Sequence, residues 1–133
     1  MRFRDQQKRK AVTFSYDDGV TQDIRLIELL NQYGLKCTFN LNSELLAKRG
    51  ILLRNGLHIA HYKLHPEDVR TVYEGHEIAA HTLTHPNLTQ CNDEDVIRQV
   101  EEDRKKLSEL AGKPVRIRFF MSDADVYSFR FAE

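Results

Sequence analysis

The chain lacks the features that mark several large classes of protein. It has 133 residues, only two cysteines, Cys37 and Cys91, and equal numbers of basic and acidic residues, 20 of each. The balanced charge argues against a dedicated binder of nucleic acid or of anionic membranes. No run of about 18 apolar residues is present, so no membrane span is expected. The two thiols lie outside any metal-ligand spacing, which favours reduced cysteines, although the sequence leaves their pairing open.

The N-terminal residues 1–10 are basic, and no apolar stretch of the kind that a signal peptide needs follows them. The sequence therefore predicts a cytoplasmic protein. Hydrophobic residues make up 41% and charged residues 30%, which is typical of one globular domain. We expect a basic tail over 1–9, the domain over 10–120 and a divergent tail over 121–133. A complete (β/α) barrel needs roughly 200 residues or more, so a full barrel is excluded.

Strand-like and helical patterns alternate along the chain. Short β-prone runs are followed by amphipathic stretches with capping residues at their ends. This alternation predicts an α/β fold, an incomplete (β/α) barrel of about four parallel strands with covering helices. The stretch 43–64 matches no regular pattern and is expected to be rich in loops. The expected strands are 11–16, 35–41, 77–81 and 115–120, and the expected helices are 21–33, 66–74 and 92–111.

Two of the expected helices have a recognisable apolar face. Apolar residues recur at helical spacing in both, so each face should pack on the sheet. The predicted inward residues are Ile24, Ile27, Leu30 and Tyr33 in the first helix, and Val96, Val100, Leu107 and Leu110 in the last.

An acidic pair ends the first expected strand, in Asp17-Asp18-Gly19. Glycine lets the backbone turn sharply, so two consecutive carboxylates could flank one point from different directions. One could bind a metal while the other faces water on that metal. The alternative is an ordinary turn, because Asp-Gly is a common turn dipeptide.

A histidine pair follows the third expected strand, in His81-Thr82-Leu83-Thr84-His85. The spacing i, i+4 would place both imidazoles on one side of a helical turn. Because the ends of parallel strands meet at one edge of a sheet, the pair is expected beside the acidic pair. Two imidazoles and a carboxylate suit a divalent transition metal, with zinc favoured, and leave positions open for water and substrate. The alternative is two unrelated surface histidines.

The two motifs together resemble those of the polysaccharide deacetylase family, which contains the NodB homology domain and is carbohydrate esterase family 4. The family pattern Thr-Phe-Asp-Asp-Gly stands here as Phe14-Ser15-Tyr16-Asp17-Asp18-Gly19, and its His-Ser/Thr-x-x-His pattern as residues 81–85. The resemblance implies a metal-dependent hydrolase that removes N-acetyl groups from a saccharide. It also implies that Asp17 is the catalytic base and that Asp18, His81 and His85 bind the metal.

The match weakens after residue 116. The family continues with an Arg-Pro-Pro-x-Gly-like segment that orients the base, and here Arg116 or Arg118 takes that place without the prolines and the glycine. A later histidine, the general acid of the family, has no counterpart before Glu133. Truncation or a frameshift would explain this, and the alternative function is an impaired fragment that binds metal or saccharide without efficient turnover. A third hypothesis is a different metal hydrolase with the same ligands.

Two further expectations concern partners and other histidines. Exposed barrel edges, above all residues 116–120, favour self-association. His58, His61 and His65 have helical spacing, which would allow a second metal site, but solvated or substrate-loop histidines are the simpler interpretation.

Overall fold

The computed structural model describes residues 12–117. This part of the chain contains six strands and three helices, and short 3-10 turns at Ser43–Leu45, Pro66–Asp68 and Leu88–Gln90 connect some of them. In chain order the elements are β1 (Phe14–Asp17), α1 (Asp23–Gln32), β2 (Cys37–Leu41), β3 (Arg49–Arg54), β4 (Leu57–Tyr62), α2 (Val69–Val72), β5 (Glu77–Ala80), α3 (Asp93–Ala111) and β6 (Arg116–Ile117).

Four of the strands form one parallel sheet, in the order β1-β2-β5-β6. Each pair of neighbouring strands in this sheet is joined by helical crossover segments, as a parallel sheet requires. The predicted α/β fold with a parallel sheet is therefore confirmed. Closure of this sheet into an incomplete barrel stays a prediction.

The hydrophobic core lies against the face of β2 that carries Cys37, Phe39 and Leu41. All five residues of this strand are buried, and Phe39 and Leu41 are fully inaccessible. The ring centroids of Phe39 and Tyr73 lie 4.8 Å apart, and Cys37 is a small buried residue of the same core. The other face carries Thr38 and Asn40, which are also buried, so β2 alternates apolar and polar residues although both of its faces are covered.

An antiparallel hairpin of β3 and β4 occupies residues 49–62, where loops were expected. That expectation is wrong. The turn at Asn55-Gly56 has φ angles of +50° and +77°, and two positive φ angles are what a type I′ hairpin turn requires. An Asn-Gly pair between two apolar runs is the strongest short-range signal of such a turn, and it was present in the sequence.

Both predicted helix faces need correction. In α1 the buried residues are Asp23, Ile27 and Leu30, while Ile24 and Tyr33 are exposed. In α3 the buried residues follow one another at intervals of four: Gln99, Asp103, Leu107 and Ala111. Two of these four are polar, so a search for apolar periodicity selects Val96, Val100 and Leu110, which are only partly buried.

Several predictions fall outside the described residues. They concern Arg118, the exposed barrel edge expected over residues 118–120, and the tails 1–9 and 121–133. For Arg116, only its backbone pairing in β6 is described. Between residues 12 and 117, none of the helices has the length and apolar character to cross a membrane.

Candidate metal centre

The acidic pair lies at the C-terminal end of β1. Asp17 is the last residue of the strand, and Asp18 and Gly19 follow with φ angles of +81° and +62°. A Cβ atom on Gly19 would come within 2.9 Å of the Leu41 Cδ2 atom, so this turn needs glycine. The amide of Asp18 still donates to the carbonyl of Asn40 on β2, at 2.9 Å. The turn therefore separates the two carboxylates while keeping both at the edge of the sheet.

The carboxylate of Asp17 is exposed, and a side chain on β2 holds it by a hydrogen bond. The side-chain amide of Asn40, which is 1% exposed, donates to the Asp17 Oδ1 atom at 2.7 Å and to the Ser15 hydroxyl at 2.9 Å. A carboxylate has two oxygens, so one of them can be fixed while the other interacts with a ligand. The structure thus gives Asp17 a defined orientation in a solvent-accessible position.

The histidine pair follows β5, but in an irregular loop instead of the predicted helical turn. Thr82 and His85 have φ angles of +70° and +55°, which no right-handed helical turn contains. The expectation that i, i+4 spacing on a helix brings the imidazoles together is therefore wrong. The two rings nevertheless lie with their centroids 4.8 Å apart, because the two left-handed residues fold the loop back on itself.

The structure brings Asp18, His81 and His85 together. One ligand atom from each of these residues lies within 4.8 Å of the others. Asp18 and His81 are half-buried and His85 is exposed, so the cluster opens to solvent on one side. Two imidazole nitrogens and one carboxylate oxygen are a donor set that divalent zinc and similar metals accept. These residues could therefore hold one metal ion and leave positions for water or substrate.

Buried polar residues from α3 hold the histidine loop, and no pattern in the sequence pointed to them. Asp103 is fully buried, and its two carboxylate oxygens accept hydrogen bonds from the backbone amides of Ser43 at 2.8 Å and His81 at 2.9 Å. Burial raises the pKa of the Asp103 carboxyl, against the effect of these hydrogen bonds. Gln99 pairs with both the amide and the hydroxyl of Thr84, at 3.0 Å and 2.9 Å.

The hairpin and the residue that directly follows it also reach this site, through His61 and Lys63, which the sequence patterns did not place there. His61 Nε2 lies 3.4 Å from Asp18 Oδ2, and Lys63 Nζ lies 3.4 Å from Asp18 Oδ1. Burial on its own would raise the pKa of the Asp18 carboxyl, but Lys63, and then His61 and His85, lower it overall. The carboxylate is therefore kept ionised, which is the state that a metal ligand needs.

The other histidines of the helical-spacing pattern lie elsewhere. His58 is exposed on β4, and His65 is exposed with its Nδ1 atom 3.9 Å from Glu67. The three residues do not lie on a helix, because β4 and the segment after it are extended. Within residues 12–117, the cluster of Asp18 with His81 and His85 is the one group of three potential ligands.

Comparison with known proteins identifies the family. The model of the polysaccharide deacetylase family matches residues 4–122. This match covers most of the chain, so the chain belongs to the polysaccharide deacetylase family, and the resemblance drawn from the two motifs is confirmed.

Two curated relatives are bacterial deacetylases. A chitooligosaccharide deacetylase of Bradyrhizobium sp. (strain ANU 289) is 30% identical over 95 residues, which cover 68% of this chain and 36% of the relative. A peptidoglycan-N-acetylglucosamine deacetylase of Bacillus cereus is 27% identical over 106 residues, covering 78% of this chain and 33% of the relative. The chain thus spans less than half the length of these relatives.

Solved structures of deacetylases have a similar fold. A peptidoglycan N-acetylglucosamine deacetylase aligns with a TM-score of 0.57 and 27% identity, over 76% of this chain and 41% of that chain. The Streptococcus pyogenes deacetylase PplD aligns with a TM-score of 0.66 over 84% of this chain and 46% of that chain, and at 17% identity it supports the fold alone.

Proposed function

We propose that this protein is a metal-dependent carbohydrate N-deacetylase, in which Asp18, His81 and His85 bind one divalent metal ion and Asp17 is the general base. The observation that carries the proposal is the cluster of three ligand atoms within 4.8 Å of one another, one residue away in sequence from an exposed carboxylate. Membership of the polysaccharide deacetylase family supports the same arrangement of roles. Zinc is the metal that best suits two imidazoles and a carboxylate.

The reaction needs help at two points, because an amide carbonyl is a poor electrophile and water is a poor nucleophile. A divalent cation in this site would polarise the carbonyl and make water more acidic. Asp17 would then accept a proton from the attacking water. The C–N bond would break as the leaving amine takes up a proton, returned by Asp17 or supplied by solvent, which gives acetate and the free amino sugar. Asn40 fixes the Oδ1 atom of Asp17 at 2.7 Å, so proton transfer falls to the second oxygen.

The proposed substrate is an N-acetylated saccharide. The two relatives described above are named for chitooligosaccharides and for the N-acetylglucosamine of peptidoglycan. Both names describe an N-acetylated amino sugar, and the open side of the cluster leaves room for an extended substrate. We therefore propose N-acetylglucosamine oligomers as the first substrate to test.

The test compares acetate release from N-acetylglucosamine oligomers by the zinc-loaded wild type and by Asp17→Asn. The variant should keep its zinc and lose activity by roughly a hundredfold to ten-thousandfold, since it lacks the base but no metal ligand. Asp68→Asn is the matched control, because Asp68 is an exposed aspartate outside the cluster, and it should retain wild-type activity.

Two outcomes would contradict the proposal. If Asp17→Asn lost zinc while Asp18→Asn kept it, the roles of the two aspartates would be reversed. If the wild type released no acetate at full zinc occupancy, the proposed activity would be wrong.

A further inference from the structure

The end of the β3–β4 hairpin is fastened to the loop that presents Asp18. The Thr21 amide donates to the Tyr62 carbonyl at 2.8 Å, and the Leu64 amide donates to the Gly19 carbonyl at 2.9 Å. Val20 and Lys63 pair between these two bonds as an isolated antiparallel bridge. Residues 62–64 therefore run beside residues 19–21 as a short added strand.

The buried ammonium group of Lys63 contacts Asp18 from this position. Its side chain is only 7% exposed, and its ammonium donates to the Asp18 carbonyl at 2.7 Å while lying 3.4 Å from the Asp18 Oδ1 atom. An ammonium is costly to bury unless it is paired and hydrogen-bonded. Asp18 supplies both the charge and the hydrogen bond, so this lysine and this aspartate depend on each other.

Asp18 needs such support because of its backbone. Its φ angle of +81° is one that residues other than glycine rarely adopt, and it persists only where the surroundings determine it. Two hydrogen bonds determine it here. The Asp18 amide donates to the Asn40 carbonyl on β2, and the Lys63 ammonium donates to the Asp18 carbonyl. The lysine therefore fixes the peptide group that sets the direction of the carboxylate.

His61 makes a second contact with the same carboxylate. Its Nε2 atom lies 3.4 Å from Asp18 Oδ2, so one oxygen has His61 of the hairpin beside it and the other has Lys63, the residue that directly follows the hairpin. A carboxylate oxygen carries two lone pairs, so an outer partner and a metal can share it. Outer partners of this kind orient the ligands of metal sites.

We propose that Lys63, assisted by His61, is a positioning residue of the candidate metal centre, holding Asp18 in the orientation that meets His81 and His85. This inference rests on the proposed metal site. Lys63 acts through Asp18 and does not bind the metal itself. The hairpin thereby helps to orient a metal ligand, although its strands lie on the surface.

The experiment measures zinc affinity by competition with a chromophoric chelator, and the absorption spectrum of the cobalt-substituted protein. Loss of an outer partner typically weakens metal binding about tenfold to a hundredfold, and this is the effect expected for Lys63→Met. The visible cobalt bands should shift or weaken, because the carboxylate no longer keeps its orientation. Lys63→Arg should restore most of the affinity, since it keeps a charged donor.

Matched variants separate positioning from general damage to the hairpin. His61→Phe should weaken zinc binding several-fold, and His58→Phe should leave the affinity unchanged, because residues three apart on β4 point to opposite faces. If Lys63→Met does not fold, as judged by circular dichroism, His61→Phe and Lys63→Arg decide the question.

Unchanged or tighter zinc binding in a folded Lys63→Met would overturn the inference, as would unchanged binding in His61→Phe. Failure of the underlying metal site looks different. In that case the wild type would bind zinc no better than His81→Ala, whereas failure of the inference alone leaves wild-type binding intact.

Discussion

The parallel sheet and the β3–β4 hairpin are stabilised in different ways. Every residue of β2 is buried, whereas every residue of β3 is exposed, including Ile51 at 63% and Leu53 at 65%. The sheet gains free energy from burial of apolar surface, while the hairpin depends on its backbone pairing, its turn and its attachment at residues 62–64. The candidate metal centre lies where the two regions meet. In the proposed site, loops at the end of the buried sheet thus carry the three ligands, and a surface element supports one of them.

The largest expected effect distinguishes the two regions by stability. Phe39→Ala removes a fully buried ring that packs on Tyr16, Tyr73 and His76, and should lower the free energy of unfolding by about 3–5 kcal/mol. Leu53→Ala, on the hairpin, should change it by less than about 0.5 kcal/mol. Urea denaturation followed by circular dichroism measures both. An equally large loss in Leu53→Ala would mean that the hairpin is part of the core.

The next effect concerns a buried acid at the start of α1. Asp23 is 3% exposed and accepts a hydrogen bond from the Tyr73 hydroxyl at 2.7 Å. Burial raises its pKa to about 6, above the value of about 3.9 of an unfolded chain. The folded state therefore binds the proton more tightly. The stability from this group is fully present below about pH 4 and is lost as the pH rises through about 6.

Asp23→Asn removes this titration and keeps an oxygen that can accept from Tyr73. A shift of about two pKa units corresponds to about 3 kcal/mol. The unfolding free energy of the variant should therefore rise relative to the wild type by about that amount between pH 4 and pH 7. Urea denaturation at four pH values across this range measures the difference. Parallel pH profiles of the two proteins would contradict the assignment.

The smallest effect sharpens the comparison within the hairpin. Gly56 has a φ angle of +77°, where an alanine is strained by about 1 kcal/mol or slightly more. In Gly56→Ala the hairpin amides should exchange about fivefold faster with solvent, while those of α3 keep their wild-type rates. Hydrogen exchange followed by NMR or mass spectrometry measures this. Faster exchange throughout α3 would show that the hairpin and the sheet unfold together.

Local signals allowed much of the sheet region to be predicted from the sequence. The last helix was expected over 92–111, and at its start the Asn92 side chain accepts a hydrogen bond from the Asp95 amide at 2.8 Å. Gly112, which directly follows the expected range, ends the helix with a left-handed φ angle of +65°. Such caps depend on a few adjacent residues, so a single sequence is enough to place them.

The parts that were missed depend on contacts between distant residues. Lys63 and Asp18 are 45 positions apart, and their contact exists only because the hairpin returns the chain to the first loop. The inward face of α3 carries Gln99 and Asp103, whose burial is compensated by hydrogen bonds to loops that sequence periodicity does not show. The Asn55-Gly56 turn is different, because its signal was local and could have been used.

The central claim is that Asp18, His81 and His85 form one metal site, and zinc stoichiometry tests it most directly. After equilibrium dialysis, elemental analysis should find about one zinc ion per chain in the wild type and in the control His58→Ala. His81→Ala and Asp18→Asn should retain little or no zinc while keeping the wild-type circular dichroism spectrum. Equal zinc content in the wild type, His81→Ala and Asp18→Asn would contradict the account.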